Sequence, residues 1–222
     1  MKKPVTLYIL LLALSIGVLF LLNLFLGSVD IPFRSIWNIL WGMDEGESVI
    51  WQNIIWKSRV PQALTAMVAG AGLAVSGLQM QTVFRNPLAG PSVLGISSGA
   101  SLGVAFVVLL SGSIGGIALS RLGFMGEIAL TMAAIIGALS IMALIVYVSQ
   151  KVHGNVTLLI IGVMIGYVAN AVIGVLKFFS VEEDIRAYVI WGLGSFSRVS
   201  GNQMMLFVTL MAILLPLSFL LI

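Results

Sequence analysis

The chain has 222 residues, 60% of them hydrophobic and 9% charged, and its mean hydropathy is +1.15. A soluble domain carries roughly a quarter charged residues, so a water-soluble globule is excluded. The absence of cysteine excludes disulfides, thiolate chemistry and Cys-bound metal, and the net charge of +3 comes from basic residues scattered singly or in pairs, which is no footprint for nucleic acid.

The first apolar run, 5–26, follows Lys2 and Lys3. It is too long for the core of a signal peptide, and no small-x-small cleavage site precedes Asp30, so it reads as a retained span. Five further runs, 62–84, 93–111, 127–149, 156–176 and 203–222, each approach the ~20 residues a spanning helix needs. No Asp, Glu, Lys or Arg falls in 4–29, 60–84, 86–120, 128–150, 152–176 or 199–222. Apolar runs of this length satisfy their backbone in lipid as helices, and they lack the short alternation of a β-barrel. The expected fold is therefore all-α: one membrane domain, 1–222, a polytopic bundle of about six transmembrane helices.

Lys2 and Lys3 beside the first span place the N-terminus in the cytoplasm. Alternation then puts 85–92 and 150–155 inside, and 27–61, 112–126 and 177–202 outside. The Lys and Arg count runs the other way, with four inside and seven outside. The first helix is given the greater weight.

The first outer segment is polar and rich in tryptophan. Trp37, Trp41, Trp51 and Trp56 suit the membrane–water interface, Asp44 to Glu47 make a solvated turn, and Pro61 is expected to open the second helix. That helix carries Gly70, Ala74 and Gly77, with Gly72 and Ser76, at helical spacing, which lets membrane helices approach backbone to backbone. Gln79 and Gln81 read as interhelical glue or as ligands. Then comes RNPLAGPSVLGISSGA (85–100). Asn86-Pro87 and Gly90-Pro91 forbid helix there, and irregular backbone at membrane depth persists only where protein buries it or water reaches it. The segment is either a tight interhelical turn or a turn that closes a pathway, with Asn86 as a polar constriction.

Gly95, Gly99 and Gly103 share one face of the third span. Gly162, Gly166, Asn170 and Gly174 repeat the device in the fifth. GISSG (95–99) matches the nucleophile-elbow pattern around Ser97, but that motif needs a preceding strand and a nearby base. His153, the one histidine, offers no ligand set for a metal, and the methionines read as core filler. Ser180 and Glu183 fit a capping box opening a short helix of about 184–191 on the outer surface, ended by Gly192 and Gly194. Lys57, Arg59, Arg186 and Arg198 are solvated charges or a docking surface for an acidic partner. The chain ends on PLSFLLI without a polar tail, so the polypeptide is expected to continue beyond Ile222.

RVPQ (59–62), GAGLAVSGLQMQTVFRNPLAGPSVLGISSGASLG (70–103), LLIIGVMIG (158–166) and WGLGSF (191–196) together resemble the FecCD-type permeases of bacterial ABC importers, over nearly the whole chain. The resemblance implies a ten-span permease subunit of the bacterial cytoplasmic membrane, working as a dimer with a second permease copy. Two ATPase subunits bind ATP on the inner side, so the permease itself needs no cofactor and no catalytic residue. A substrate-binding protein docks outside, and the cargo is a ferric siderophore, haem or cobalamin. Carried over by position, Asn86 and Leu88 match one half of an inner gate, and Asn155, Val156 and Thr157 the other. Arg59 matches an outer arginine that pairs with acids on the binding protein. Gln62 departs from the family's second arginine, for which Lys57 is the substitute, and the family's ATPase-coupling helices follow the sixth span. The alternatives are a membrane scaffold without a pathway of its own and, third, an intramembrane hydrolase built on Ser97.

Overall fold

The computed structural model describes residues 5–43, 46, 48–114, 124–152, 154–197 and 199–220. The expectations placed on Lys2, Lys3, Asp44, Glu45, Glu47, His153 and Arg198 lie outside them. All regular structure among the described residues is helical: α1 (Val5–Phe25), α2 (Phe33–Leu40), α3 (Val49–Ile54), a π-turn (Ile55–Arg59), α4 (Val60–Phe84), α5 (Ile96–Ile114), α6 (Phe124–Ser149), α7 (Asn155–Phe178), α8 (Glu182–Gly192) and α9 (Gly201–Leu220). Five helical stretches are long and apolar enough to cross a bilayer: Val5–Phe25, Val49–Phe84, Met125–Ser149, Val156–Phe178 and Gly201–Leu220. The apolar run of α5, Ile96–Leu110, is shorter.

Two compact units divide the chain, residues 1–72 with 196–222, and residues 73–195. The first contains a small core of Ile31, Ile36, Ile39 and Ile55, against which Phe25, Leu40, Trp51, Ile54 and Val60 pack. Trp51 thus serves this core, whereas Trp37, Trp41 and Trp56 remain exposed. Pro61 does not open a helix. The helix begins at Val49 and passes through the π-turn, whose widened register lets the Val60 N–H bond back to the Ile55 carbonyl. Pro61 has no N–H to place, and the bulge just before it accommodates the ring without breaking the rod.

In the second unit α5 is the organising helix, packed against α6, α7 and α8. Glycine makes the closest approaches. An ideal Cβ on Gly99 would stand 2.7 Å from the Gly137 carbonyl, and one on Gly103 would run into the Ala133 carbonyl. Gly137 answers from α6, where a Cβ would strike the Gly99 carbonyl. Backbone therefore lies directly on backbone where these helices cross, as membrane helices do when small residues meet. Around that seam Val104, Ala105, Val108 and Leu109 form a core with Ala133, Ile173 and Tyr188.

One expectation about α8 is corrected. Ser180 does not cap it. The N-cap is Val181, with no side-chain bond, and the Ser180 hydroxyl donates to the carbonyls of Leu176 (2.6 Å) and Leu109 (3.1 Å). The helix α8 runs back along α5, because its apolar face of Ile185, Tyr188 and Trp191 needs the α5 core for burial. Gly194, at φ +67°, ends it as expected, in the left-handed conformation that glycine adopts without steric cost.

Glycine packing at the α5–α6 seam makes a directional prediction. Gly137→Val should destabilise the protein by about 1–3 kcal/mol, the usual cost of overpacking. Gly174→Ala, where nothing lies within 4 Å, should be neutral or stabilising by up to about 1 kcal/mol. Thermal unfolding in detergent distinguishes the two.

Candidate functional site

The interrupted segment between α4 and α5 is built from the end of α4 outward. The Arg85 N–H bonds to the Thr82 carbonyl (3.3 Å) and the Asn86 N–H to the Gln81 carbonyl (3.2 Å). These paired bonds are those of a Schellman cap. Such a cap needs a left-handed residue, and Arg85 supplies it at φ +48°, a conformation that costs a side-chain-bearing residue about 1 kcal/mol relative to glycine. Asn86 is not a free constriction. Its Oδ1 accepts the Leu88 N–H at 2.9 Å, and its carbonyl accepts the Ala89 N–H at 3.1 Å. The asparagine folds the chain over Pro87 as an Asx turn and so aims Leu88 outward, 83% exposed.

The same segment then docks on α7. Gly95 (φ +73°) lies over the start of that helix, its ideal Cβ 2.8 Å from the Gly162 carbonyl, and a Cβ on Gly162 would be 2.9 Å from the Leu94 Cα. At Gly166 the approach is an ordinary 3.4 Å to the Ser98 hydroxyl. Phe84, Ala89 and Leu94 consequently share one apolar cluster with Leu158 and Leu159 of α7 and Ile141 and Ile145 of α6. Sequence neighbours of both sets of expected gate residues share this cluster: Ala89 follows the Asn86–Leu88 turn, and Leu158 and Leu159 follow Val156 and Thr157. Val156 and Thr157 are exposed beside it. A shallow cavity of about 270 Å³ opens where α5 meets α7, lined by Ser92, Ser98, Tyr167 and Asn170 among others.

Arg59 is corrected as an exposed docking charge. It is 5% exposed, and its guanidinium donates to the carbonyls of Leu24 (2.6 Å), Phe25 (3.3 Å) and Val29. A helix end leaves four carbonyls without intrahelical partners and carries partial negative charge, so Arg59 closes the end of α1. An ideal Cβ on Gly27 would lie 2.6 Å from the Arg59 Nη2, which is why that turn admits no side chain. Lys57, two residues earlier, remains exposed. Ser97 stands in the first turn of α5 after turns rather than a strand, so the nucleophile-elbow context is missing among the described residues. No group of three His, Cys, Asp or Glu side chains among them is placed to hold a metal.

The sequence reading missed Gly137 and the buried Asp184. The two glycines of α6, Gly126 and Gly137, stand too far apart to show a stripe, and Asp184 is hidden among the acids of one helix start.

Comparison with known proteins adds to this geometry. A sequence model of the FecCD transport family matches residues 12–222. The vitamin B12 import system permease BtuC of Pectobacterium atrosepticum is 35% identical over 83% of this chain and 51% of its own length. The hemin transport system permease HmuU of Yersinia pestis is 35% identical over 81% of this chain and 50% of its own. A solved metal-chelate type ABC transporter in an inward-facing conformation superposes with a TM-score of 0.71 at 26% identity, covering 95% of this chain and 60% of that one. The chain spans about half the length of the curated relatives it matches.

Two variants follow from these contacts. Arg59→Met strands three carbonyls and should lower stability by roughly 2–4 kcal/mol, Arg59→Lys recovering only part because lysine has no fork; chemical denaturation in detergent reads both. Arg85→Gly should stabilise by about 1 kcal/mol by relieving the left-handed conformation, visible as a raised unfolding midpoint.

Proposed function

Because the chain belongs to the FecCD transport family, we propose that it is the membrane-spanning permease part of an ABC importer for a metal chelate. Six spans, at α1, α4, α5, α6, α7 and α9, sit in the bacterial cytoplasmic membrane with the N-terminus inside. Cargo arrives on an extracytoplasmic binding protein, ATPase subunits supply the energy, and a second permease copy completes the pathway. A ferric siderophore is the favoured cargo, and cobalamin and haem, named for the two relatives, are the other two.

What supports this reading is that the segment leaving the Asn86–Leu88 turn, through Ala89 and Leu94, shares one apolar cluster with Leu158 and Leu159 near the start of α7. A gate needs two segments that touch when closed and part when open, each on a rigid support. Here one support is the Schellman-capped end of α4 and the other is α7, with α5 wedged against it. Leu88, Val156 and Thr157 offer apolar and weakly polar surface, over which a bulky chelate slides without being held. Fixed charges, which mark proton and ion paths in membranes, are absent from the spans up to Leu176 apart from Glu127 at the start of α6, so the energy comes from ATP through alternation of two states. Exposed Lys57 is the docking charge for an acidic patch on the binding protein. Asn155 opens α7 at the gate.

Uptake of labelled ferric siderophore, hemin and vitamin B12, measured in cells with and without the full-length gene, tests the reading. ATP-dependent uptake of one chelate should be lost on deletion. Leu88→Arg should cut it by on the order of a hundredfold, since a fixed charge in such surroundings costs about 2.5–3.5 kcal/mol and each ~1.4 kcal/mol is tenfold. Uptake of all three unchanged on deletion removes the importer reading and leaves the scaffold.

A further inference from the structure

The second unit holds a buried carboxyl that transport does not use. Asp184, in the first turn of α8, is 7% exposed, and its Oδ2 has no hydrogen-bond partner. A buried carboxylate oxygen without a partner is costly for a fold to hold charged. The two preceding residues, Glu182 and Glu183, are exposed and take up the favourable positive end of the helix from solvent. Asp184 faces inward because α8 must turn Ile185, Tyr188 and Trp191 to the α5 core, and its position in that turn carries it along.

Among the described residues no cation is placed to answer it. The described side chains of α5, Ile96 to Leu110, include no ionisable group. From α7 comes Lys177, whose Nζ lies 4.7 Å from the centre of the Tyr188 ring and is engaged there. On α8 itself stand Glu182, Glu183, Arg186 and Tyr188, and α6, which shares the core, contributes Glu127 at its start. Burial, and after it the negative charge of Glu183, raise the Asp184 carboxyl above the ordinary aspartate value.

The ties that seat α8 on α5 are few. Ser180 reaches the Leu109 carbonyl, Tyr188 sits in the core and hydrogen-bonds Ser101, and Asp184 adds a seat that is comfortable only when neutral. We propose that Asp184 is a protonation-controlled latch: with its carboxyl neutral, α8 stays seated along α5, and with the carboxylate charged, that seat loosens. The sign follows from linkage. The seated state holds the proton more tightly than the released state, so seating is strongest at low pH. It weakens as pH rises from the ordinary aspartate range through the raised value, then levels off.

Hydrogen exchange of the α8 amides, expressed as protection factors across pH 4 to pH 8 on the full chain in lipid nanodiscs, tests this. In the wild type, α8 protection should fall by about tenfold per pH unit through the titration window, while α5 and α6 keep theirs. Asp184→Asn should hold α8 protected at every pH. Glu183→Gln, which leaves the latch in place but removes a neighbouring negative charge, should move the midpoint to lower pH. A flat wild-type profile, or an Asp184→Asn profile that falls in parallel with wild type, overturns the proposal. If Asp184→Asn does not fold, the Glu183→Gln midpoint decides alone: an unshifted midpoint overturns it.

Discussion

Gly95 against Gly162, on one side of α5, and Gly99 and Gly103 against Gly137 on the other, set the distances on which the second unit depends. Lipid offers no hydrophobic gain for bringing helices together, so close van der Waals packing must supply it. Three backbones in near contact also leave little freedom of register. Leu94 can lie only where Gly162 admits it, so the turn from Asn86 to Gly95 is fixed at one end by the α4 cap and at the other by this crossing. The exposure of Leu88 is a consequence of that double constraint.

Three charged groups of the described chain, Arg59, Arg85 and Asp184, each follow from a structural constraint. Arg59 is drawn beneath the end of α1 because unpaired carbonyls there are more costly than the burial of a guanidinium that satisfies three of them. Arg85 is held in a left-handed conformation because the cap requires it. Asp184 shows the opposite case, a carboxyl carried inward by the apolar face of its own helix with its Oδ2 left without a partner. Arg85 fixes one support of the proposed gate. Asp184 makes the seating of α8 conditional on protonation.

Much of the fold was legible in the sequence, because the spans are written in long uncharged runs and the hinge in its prolines. The expected runs at 5–26, 127–149 and 156–176 became helices with ends shifted by no more than three residues. The glycine faces at 95, 99, 103 and 162 proved to be contacts, whereas Gly70, Gly77 and Gly174 face open space. Spacing records which residues share a face but not what that face meets. Pro61 misled as a helix start because a π-turn, which has no sequence signature of its own, carries the helix through it. Arg59 and Ser180 misled for a shared reason: each bonds to at least one carbonyl more than thirty residues away, and local pattern cannot report such partners. The side chain of Asn86 shapes the turn, through a bond to the Leu88 N–H that the prolines alone did not reveal.

The link from the Gly95–Gly162 crossing to the gate is most directly tested by a distance. The chain has no native cysteine, so nitroxides can be placed on Leu88→Cys and Val156→Cys alone and their separation measured by electron–electron double resonance. A single narrow distribution is expected for that pair, and broadening when Gly95→Ala is added, because the new methyl group meets the Gly162 carbonyl at a left-handed position. A broad distribution from the start, or one that Gly95→Ala leaves unchanged, would contradict the claim that this crossing holds the two halves of the gate in register.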